Sequence, residues 1–219
     1  LADHKILGAE ALLRWQHPEF GLISPGEFIP LAEASGDILA IGDWVLNEAM
    51  RYITLWRTQG LLNDDFHIAV NVAARQLTRK DFAQQLLARL EEQQIPQRFF
   101  ALEVTESGLM SDMDHARQQL AQLAQMNIAV AIDDFGTGQS SLAYIKTLPF
   151  STLKIDRAFV MDLETSAIDR QLAQTIAQLA HSVGCDVVAE GIENSAQAAY
   201  LSSIGCEAAQ GYFYARPLP

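Results

Sequence analysis

The sequence predicts an α/β protein, a TIM-like (β/α)8 barrel from which the first strand is missing. Three observations carry this expectation. Short apolar, β-rich runs alternate with amphipathic stretches at helical spacing, the pattern of repeated βα units. The strand candidates number one fewer than the eight of a closed barrel. No linker, charge block or low-complexity segment divides the 219 residues, a length that suits one packed domain spanning 1–219.

In chain order, the strand candidates are Ile6 to Leu13, His67 to Val72, Phe100 to Val104, Ile128 to Ile132, Thr152 to Ile155, Val187 to Ala189 and Ala208 to Gly211. Each is short, apolar and flanked by polar or turn-forming residues. Between them, Ser24-Pro25-Gly26-Glu27 reads as a capping box with proline in the first helical turn, opening a helix that ends near Ser35-Gly36. A longer helix runs from about Ile38 to Gln59 and stops at Gly60, another follows Thr78, and a further one runs from about Ala167 to Val183 and stops at Gly184. Phe28, Leu31, Leu86 and Leu90 have the spacing of a core face.

Composition narrows the function. A formal net charge of −12 argues against a nucleic-acid polymer as partner, because an acidic surface repels a phosphate backbone. A small anionic ligand is still compatible if bound cations neutralise a cluster of acids. Cys185 and Cys206 have neither a metal-site nor a disulfide-framework spacing, so buried thiols in a reducing compartment are expected. No apolar run approaches a membrane span and no signal peptide opens the chain, so a cytoplasmic domain is expected. The chain opens at Leu1 in a turn-like stretch, which suggests a domain cut from a longer signalling protein.

The chemistry lies at the strand ends. Asn71, Glu103, Asp133 with Asp134, Lys154 with Asp156, Glu190 and Gln210 sit where the candidate strands stop, and parallel barrel strands bring those ends to one mouth. Glu10 joins them if its strand points that side chain inward. Alone, each is an ordinary solvated acid or turn former. Together, four or five carboxylates and an amide would repel one another without cations, and hard oxygen ligands suit magnesium or manganese. Two such ions bridged by a carboxylate, for which Asp133 is the best candidate, can activate water and stabilise both oxygens of a phosphodiester displacement. Lys154 is placed to assist that water or offset developing charge; its alternative role is a surface or interdomain salt bridge. None of the five histidines has a ligand spacing.

These residues lie in a series of motifs: Glu10-Ala11-Leu12 with Leu13-Arg14-Trp15, Val70-Asn71-Val72, Leu102-Glu103-Val104-Thr105-Glu106, Asp133-Asp134-Phe135-Gly136-Thr137-Gly138, Leu153-Lys154-Ile155-Asp156, Glu190-Gly191-Ile192-Glu193 and Gln210-Gly211-Tyr212. In that order they resemble the signature of EAL-domain cyclic di-GMP phosphodiesterases over essentially the whole chain. The resemblance implies metal-dependent hydrolysis of cyclic di-GMP to linear pGpG, with two magnesium or manganese ions and inhibition by calcium. It implies that Glu10, Asn71, Glu103 and Asp133 hold one ion, and Asp133, Asp134 and Glu190 the other. Lys154 or Glu190 would handle the attacking water, and Gln210 would order the site. Arg14 would face a phosphate, with a structural ion pair as its alternative, and Glu193 a guanine edge; Leu12, Asp134 and Asp156 would also adjoin the substrate.

The same resemblance implies an antiparallel first strand just upstream of Leu1. It also implies a loop over Gly136-Thr137-Gly138-Gln139-Ser140-Ser141, held by Glu106 and leading to a homodimer interface; the plainer reading is a strand-to-helix turn. Ala73, Gln139 and Ser151 depart from the usual serine, aromatic and aspartate without removing a ligand. A non-catalytic receptor for the same nucleotide is the competing expectation, favoured only where ligands are lost.

Overall fold

A computed structural model of the chain describes residues 5–137 and 145–218. Gly138, Gln139, Ser140 and Ser141, singled out above, lie outside the described residues. Nine strands are described: β1 (Gly8–Ala11), β2 (Trp15–His17), β3 (Gly21–Ile23), β4 (His67–Asn71), β5 (Phe100–Thr105), β6 (Ala129–Phe135), β7 (Thr152–Ile155), β8 (Asp186–Ala189) and β9 (Ala208–Ala209). The helices among the described residues are α1 (Pro25–Ser35), α2 (Ile38–Thr58), α3 (Ala74–Leu77), α4 (Phe82–Glu92), α5 (Glu106–Ser111), α6 (Met113–Gln125), α7 (Ala167–Ser182) and α8 (Ser195–Ser203).

Seven strands form one parallel sheet in the order β1-β4-β5-β6-β7-β8-β9, so each pairs with the sheet strand that precedes it, β2 and β3 being set aside in a hairpin of their own. This is the β/α barrel short of one strand. All seven strand candidates are present: the first contracts to Gly8–Ala11, the second to His67–Asn71 and the last to Ala208–Ala209, Thr152–Ile155 is unchanged, and the others lengthen to Phe100–Thr105, Ala129–Phe135 and Asp186–Ala189, so Asp133 and Asp134 lie within a strand and not beyond its end. The chain then makes an antiparallel hairpin, β2 with β3, that periodicity did not reveal because each arm has three residues.

Helices cover the outside of the sheet. α2 buries Ile38, Gly42, Leu46, Ala49, Met50 and Ile53, a stripe repeating every three to four residues, against the sheet. Glycines with positive φ stop the helices at Gly36 and Gly184, where the left-handed turn frees no Cβ to clash. Two expectations need correction. Ser24 does cap α1, with Pro25 next, but its side chain makes no capping bond; its carbonyl takes the Glu27 N–H at 2.9 Å instead. Leu31 is 70% exposed and belongs to no core face, whereas Phe28, Leu86 and Leu90 are buried. Cys185 and Cys206 are buried, free thiols. No helix among the described residues is long and apolar enough to cross a membrane.

Candidate active site at the strand ends

The carboxylates gather around one ammonium. Lys154, on β7, is 2% exposed, and its Nζ lies 2.5 Å from Glu190 Oε1, 2.8 Å from Glu103 Oε2 and 3.4 Å from Asp133 Oδ1. The surface or interdomain salt bridge considered for Lys154 is excluded by that burial. Glu10 is tied in from both sides: Asn71 Nδ2 donates to its Oε1 at 2.6 Å, and Gln210 Nε2 donates to its Oε2 at 2.9 Å and to Glu190 Oε1 at 3.0 Å. β1, β4, β5, β6 and β7, together with the residues directly after β8 and β9, therefore contribute to a single cluster, as inward positions at one end of parallel strands must.

The Asp pair depends on a local irregularity. Between Ile132↔Leu153 and Phe135↔Ile155 the register shifts, giving β6 one more residue than β7 across that interval. This is a β-bulge, and Asp134 sits in it with φ 54°, a left-handed conformation that aspartate tolerates better than most residues. A regular strand would send successive side chains to opposite faces. The bulge instead keeps both carboxylates electrostatically engaged with the cluster, Asp134 feeling Asp133, Asp156 and Lys154. The Asp134 N–H also donates to Asp133 Oδ1 at 2.9 Å.

One buried cation serves several acids, and the proton affinities follow. Burial first, then repulsion from Glu10 and Asp133, push Glu103 up to about 8 against the pull of Lys154. Burial and Asp133 push Glu190 up to about 7, and burial with Asp133 and Asp156 push Asp134 up to about 6. For Lys154, burial works against the ammonium, yet Glu103, Glu190, Asp133 and Glu10 outweigh it and raise its pKa, so the lysine stays charged. Glu103 Oε2 and Lys154 Nζ are buried without a well-aligned hydrogen bond, so their 2.8 Å contact is Coulombic and leaves a carboxylate oxygen with unused acceptor capacity.

An all-oxygen donor set, an excess of negative charge and a buried unsatisfied carboxylate oxygen fit hard divalent cations such as magnesium or manganese. No three His, Cys, Asp or Glu side chains among the described residues are drawn close enough to form a finished ion cage, with the Lys154 ammonium standing among them.

The remaining predicted residues surround this cluster. Leu12 and Arg14 are exposed and line a cavity of about 510 Å³ that also borders Asn71, Pro25, Ile29 and Thr105. Arg14 Nη1 donates to the Leu13 carbonyl at 2.9 Å, and no carboxylate among the described residues pairs with it. Asp156 Oδ1 caps the turn after β7 by accepting the Ala158 N–H at 2.8 Å. Glu106 is buried on α5, and its Oε2 accepts the Gly136 N–H at 3.0 Å. Glu193, beyond β8, pairs with Arg157 at 2.8 Å. Arg157 was not singled out by the sequence; its only local signal is its place directly after Asp156.

The EAL domain family model matches residues 1–217. In Pseudomonas aeruginosa, the chain is 44% identical over 214 residues to the bifunctional diguanylate cyclase/cyclic di-GMP phosphodiesterase MucR, covering 98% of this chain and 31% of that protein. It is 42% identical over 219 residues to the cyclic di-GMP phosphodiesterase NbdA of the same organism, covering 100% of this chain and 28% of that protein. The solved structure of the MucR phosphodiesterase in complex with c-di-GMP superposes with a TM-score of 0.91 at 43% identity, covering 98% of this chain and 86% of that one. The chain thus spans less than a third of the length of either curated relative.

Proposed function

The chain belongs to the EAL domain family, and on that premise we propose that it is a phosphodiesterase that opens cyclic di-GMP to linear pGpG. The observation that carries the reading is the cluster of Glu10, Glu103, Asp133 and Glu190 around the buried Lys154 at the strand ends. Its support from outside is the similarity to two proteins named as cyclic di-GMP phosphodiesterases.

In this reading Glu10, Asn71, Glu103 and Asp133 would hold one divalent cation, and Asp133, Asp134 and Glu190 a second. Bound there, magnesium or manganese supplies charge neutralisation and a lowered proton affinity of water, with calcium filling the site unproductively. Glu190 is the group positioned to accept the proton of the attacking water, and the Lys154 ammonium, 2.5 Å from it, would hold that water by donating to its oxygen. Gln210 holds Glu10 and Glu190 in mutual register through its single amide nitrogen. Arg14, without a carboxylate partner among the described residues, would be available to a phosphate; Leu12 and Asp156 would border the nucleotide, and Glu193 would accept from a guanine edge. Glu106 would restrain the chain after β6 at Gly136, ahead of an expected homodimer contact. The buried, unbridged thiols suit a cytoplasmic setting, and the domain is one module of a longer signalling protein.

Incubation of the folded protein with cyclic di-GMP and magnesium or manganese, followed by chromatography of the products, tests the proposal. Linear pGpG is expected. A folded protein that binds the nucleotide and leaves it intact would be a receptor, and the enzymatic reading would fall.

A further inference from the structure

Glu193 is held on a backbone that cannot move freely. The Ile192 N–H donates to the Gln210 carbonyl at 3.1 Å, and the Ile192 carbonyl accepts the Phe213 N–H at 2.9 Å. The Glu193 N–H donates to Oε1 of Gln197 at 2.8 Å. Gln197 is 4% exposed, and its Nε2 donates to the carbonyls of Val160 and Met161 at 3.2 and 3.3 Å, tying the segment after β8 to the segment after β7. What this framework leaves undetermined is the Glu193 side chain, which is about half exposed.

Arg157, on the segment after β7, supplies the missing restraint. Its Nη2 donates to Glu193 Oε1 at 2.8 Å. Its stem lies over Gly191, where an added Cβ would stand 2.3 Å from Arg157 Cγ and 2.7 Å from its Cβ. Gly191 therefore makes room for the arginine to cross between the two segments, and with φ +68° it sits in a conformation that favours glycine. A carboxylate offers about four acceptor positions, so one bond from Arg157 leaves capacity for two parallel donors from another planar group.

We propose that Arg157 is a positioning residue for nucleobase selection: it fixes the Glu193 carboxylate in the orientation that receives a guanine edge. The inference rests on the proposed phosphodiesterase reading and on Glu193 facing the base. Arg157 has no contact with the acid cluster among the described residues, so its effect belongs in substrate affinity and not in the chemical step. Because the pair is about half exposed, its influence is modest.

The test is a double-mutant cycle in steady-state kinetics with cyclic di-GMP and with its inosine counterpart, which lacks the exocyclic amine. Arg157→Gln is expected to raise KM for cyclic di-GMP by about two- to fivefold with kcat within about twofold, the range an exposed ion pair can order. Arg157→Lys should recover part of the loss, and the preference for guanine over hypoxanthine should shrink in Arg157→Gln. In a Glu193→Gln background the arginine substitution should have no further effect, since its influence passes through that carboxylate. An undiminished effect in that background, or an unchanged KM and base preference in Arg157→Gln, would overturn the proposal. Should the wild-type protein prove unable to cleave, the phosphodiesterase reading fails separately; the same cycle is then read as Kd for cyclic di-GMP by calorimetry, with the same two outcomes deciding.

Discussion

Replacing Lys154 by methionine removes the cation in contact with Glu103, Asp133 and Glu190 among the described residues, while roughly preserving the volume of its stem. The size of the effect follows from pH. Above about pH 8, Glu103 and Glu190 are both ionised in the folded protein, because their pKa values are raised to about 8 and about 7. Removing the partner of buried charges costs about 3–5 kcal/mol. Near pH 5.5 both glutamates already carry protons, the lysine has lost two of its neighbouring charges, and the cost should fall to about 1 kcal/mol. The measurement is urea denaturation followed by circular dichroism, with chelator present, on wild type and Lys154→Met at both pH values. Magnesium at pH 8.5 should restore part of the lost stability, since a cation that binds only the folded state stabilises it. A destabilisation equal at both pH values, or absent at pH 8.5, would refute the view that Lys154 acts as the counter-ion of the cluster.

The wild-type protein in chelator should itself lose stability as the solution becomes more alkaline. Glu103 and Glu190 bind protons more tightly folded than unfolded, so their contribution is complete below about pH 4.5 and disappears as pH rises through about 7 and 8, visible as a falling urea midpoint. Glu10→Ala should reduce hydrolysis below detection while leaving the circular dichroism spectrum intact, because Asn71 and Gln210 lose a shared acceptor but no core contact changes; wild-type turnover would remove Glu10 from the site. Gly211→Ala places a Cβ 2.2 Å from the backbone N and O of Ile192, so a loss of about 1–3 kcal/mol and a lower kcat through displaced Gln210 are expected from denaturation and kinetics. A fully stable, fully active variant would show that this junction yields without consequence.

Much of this arrangement is legible in the amino-acid sequence. Barrel strands are short and apolar and end in polar residues, so their existence and the convergence of Glu10, Glu103, Asp133, Lys154 and Glu190 could be read from spacing and topology. The burial of Lys154 could not, because a lysine at a strand end is ordinarily solvated and only the surrounding side chains show otherwise. The bulge at Asp133 and Asp134 was hidden for a similar reason: two successive aspartates do not reveal whether a strand alternates or inserts a residue. Leu31 misled because helical spacing identifies a stripe without saying where the stripe stops being covered. Arg157 was invisible because its partner, Glu193, is 36 positions away and joined to it only by the fold.

The bond from Gln210 to Glu10 joins β9 to β1, the two outer strands of the open sheet, across 200 positions of sequence. Bringing the two ends of so long a segment together carries the largest loop-closure cost in the molecule, and only a fully ordered intervening chain removes it. The geometry at the mouth therefore depends on the whole intervening chain being in place. A nascent or nicked chain with most of its barrel in place would hold Glu10 by Asn71 alone, without the second amide from Gln210, so the full arrangement of this site reports on the order of both ends of the sheet.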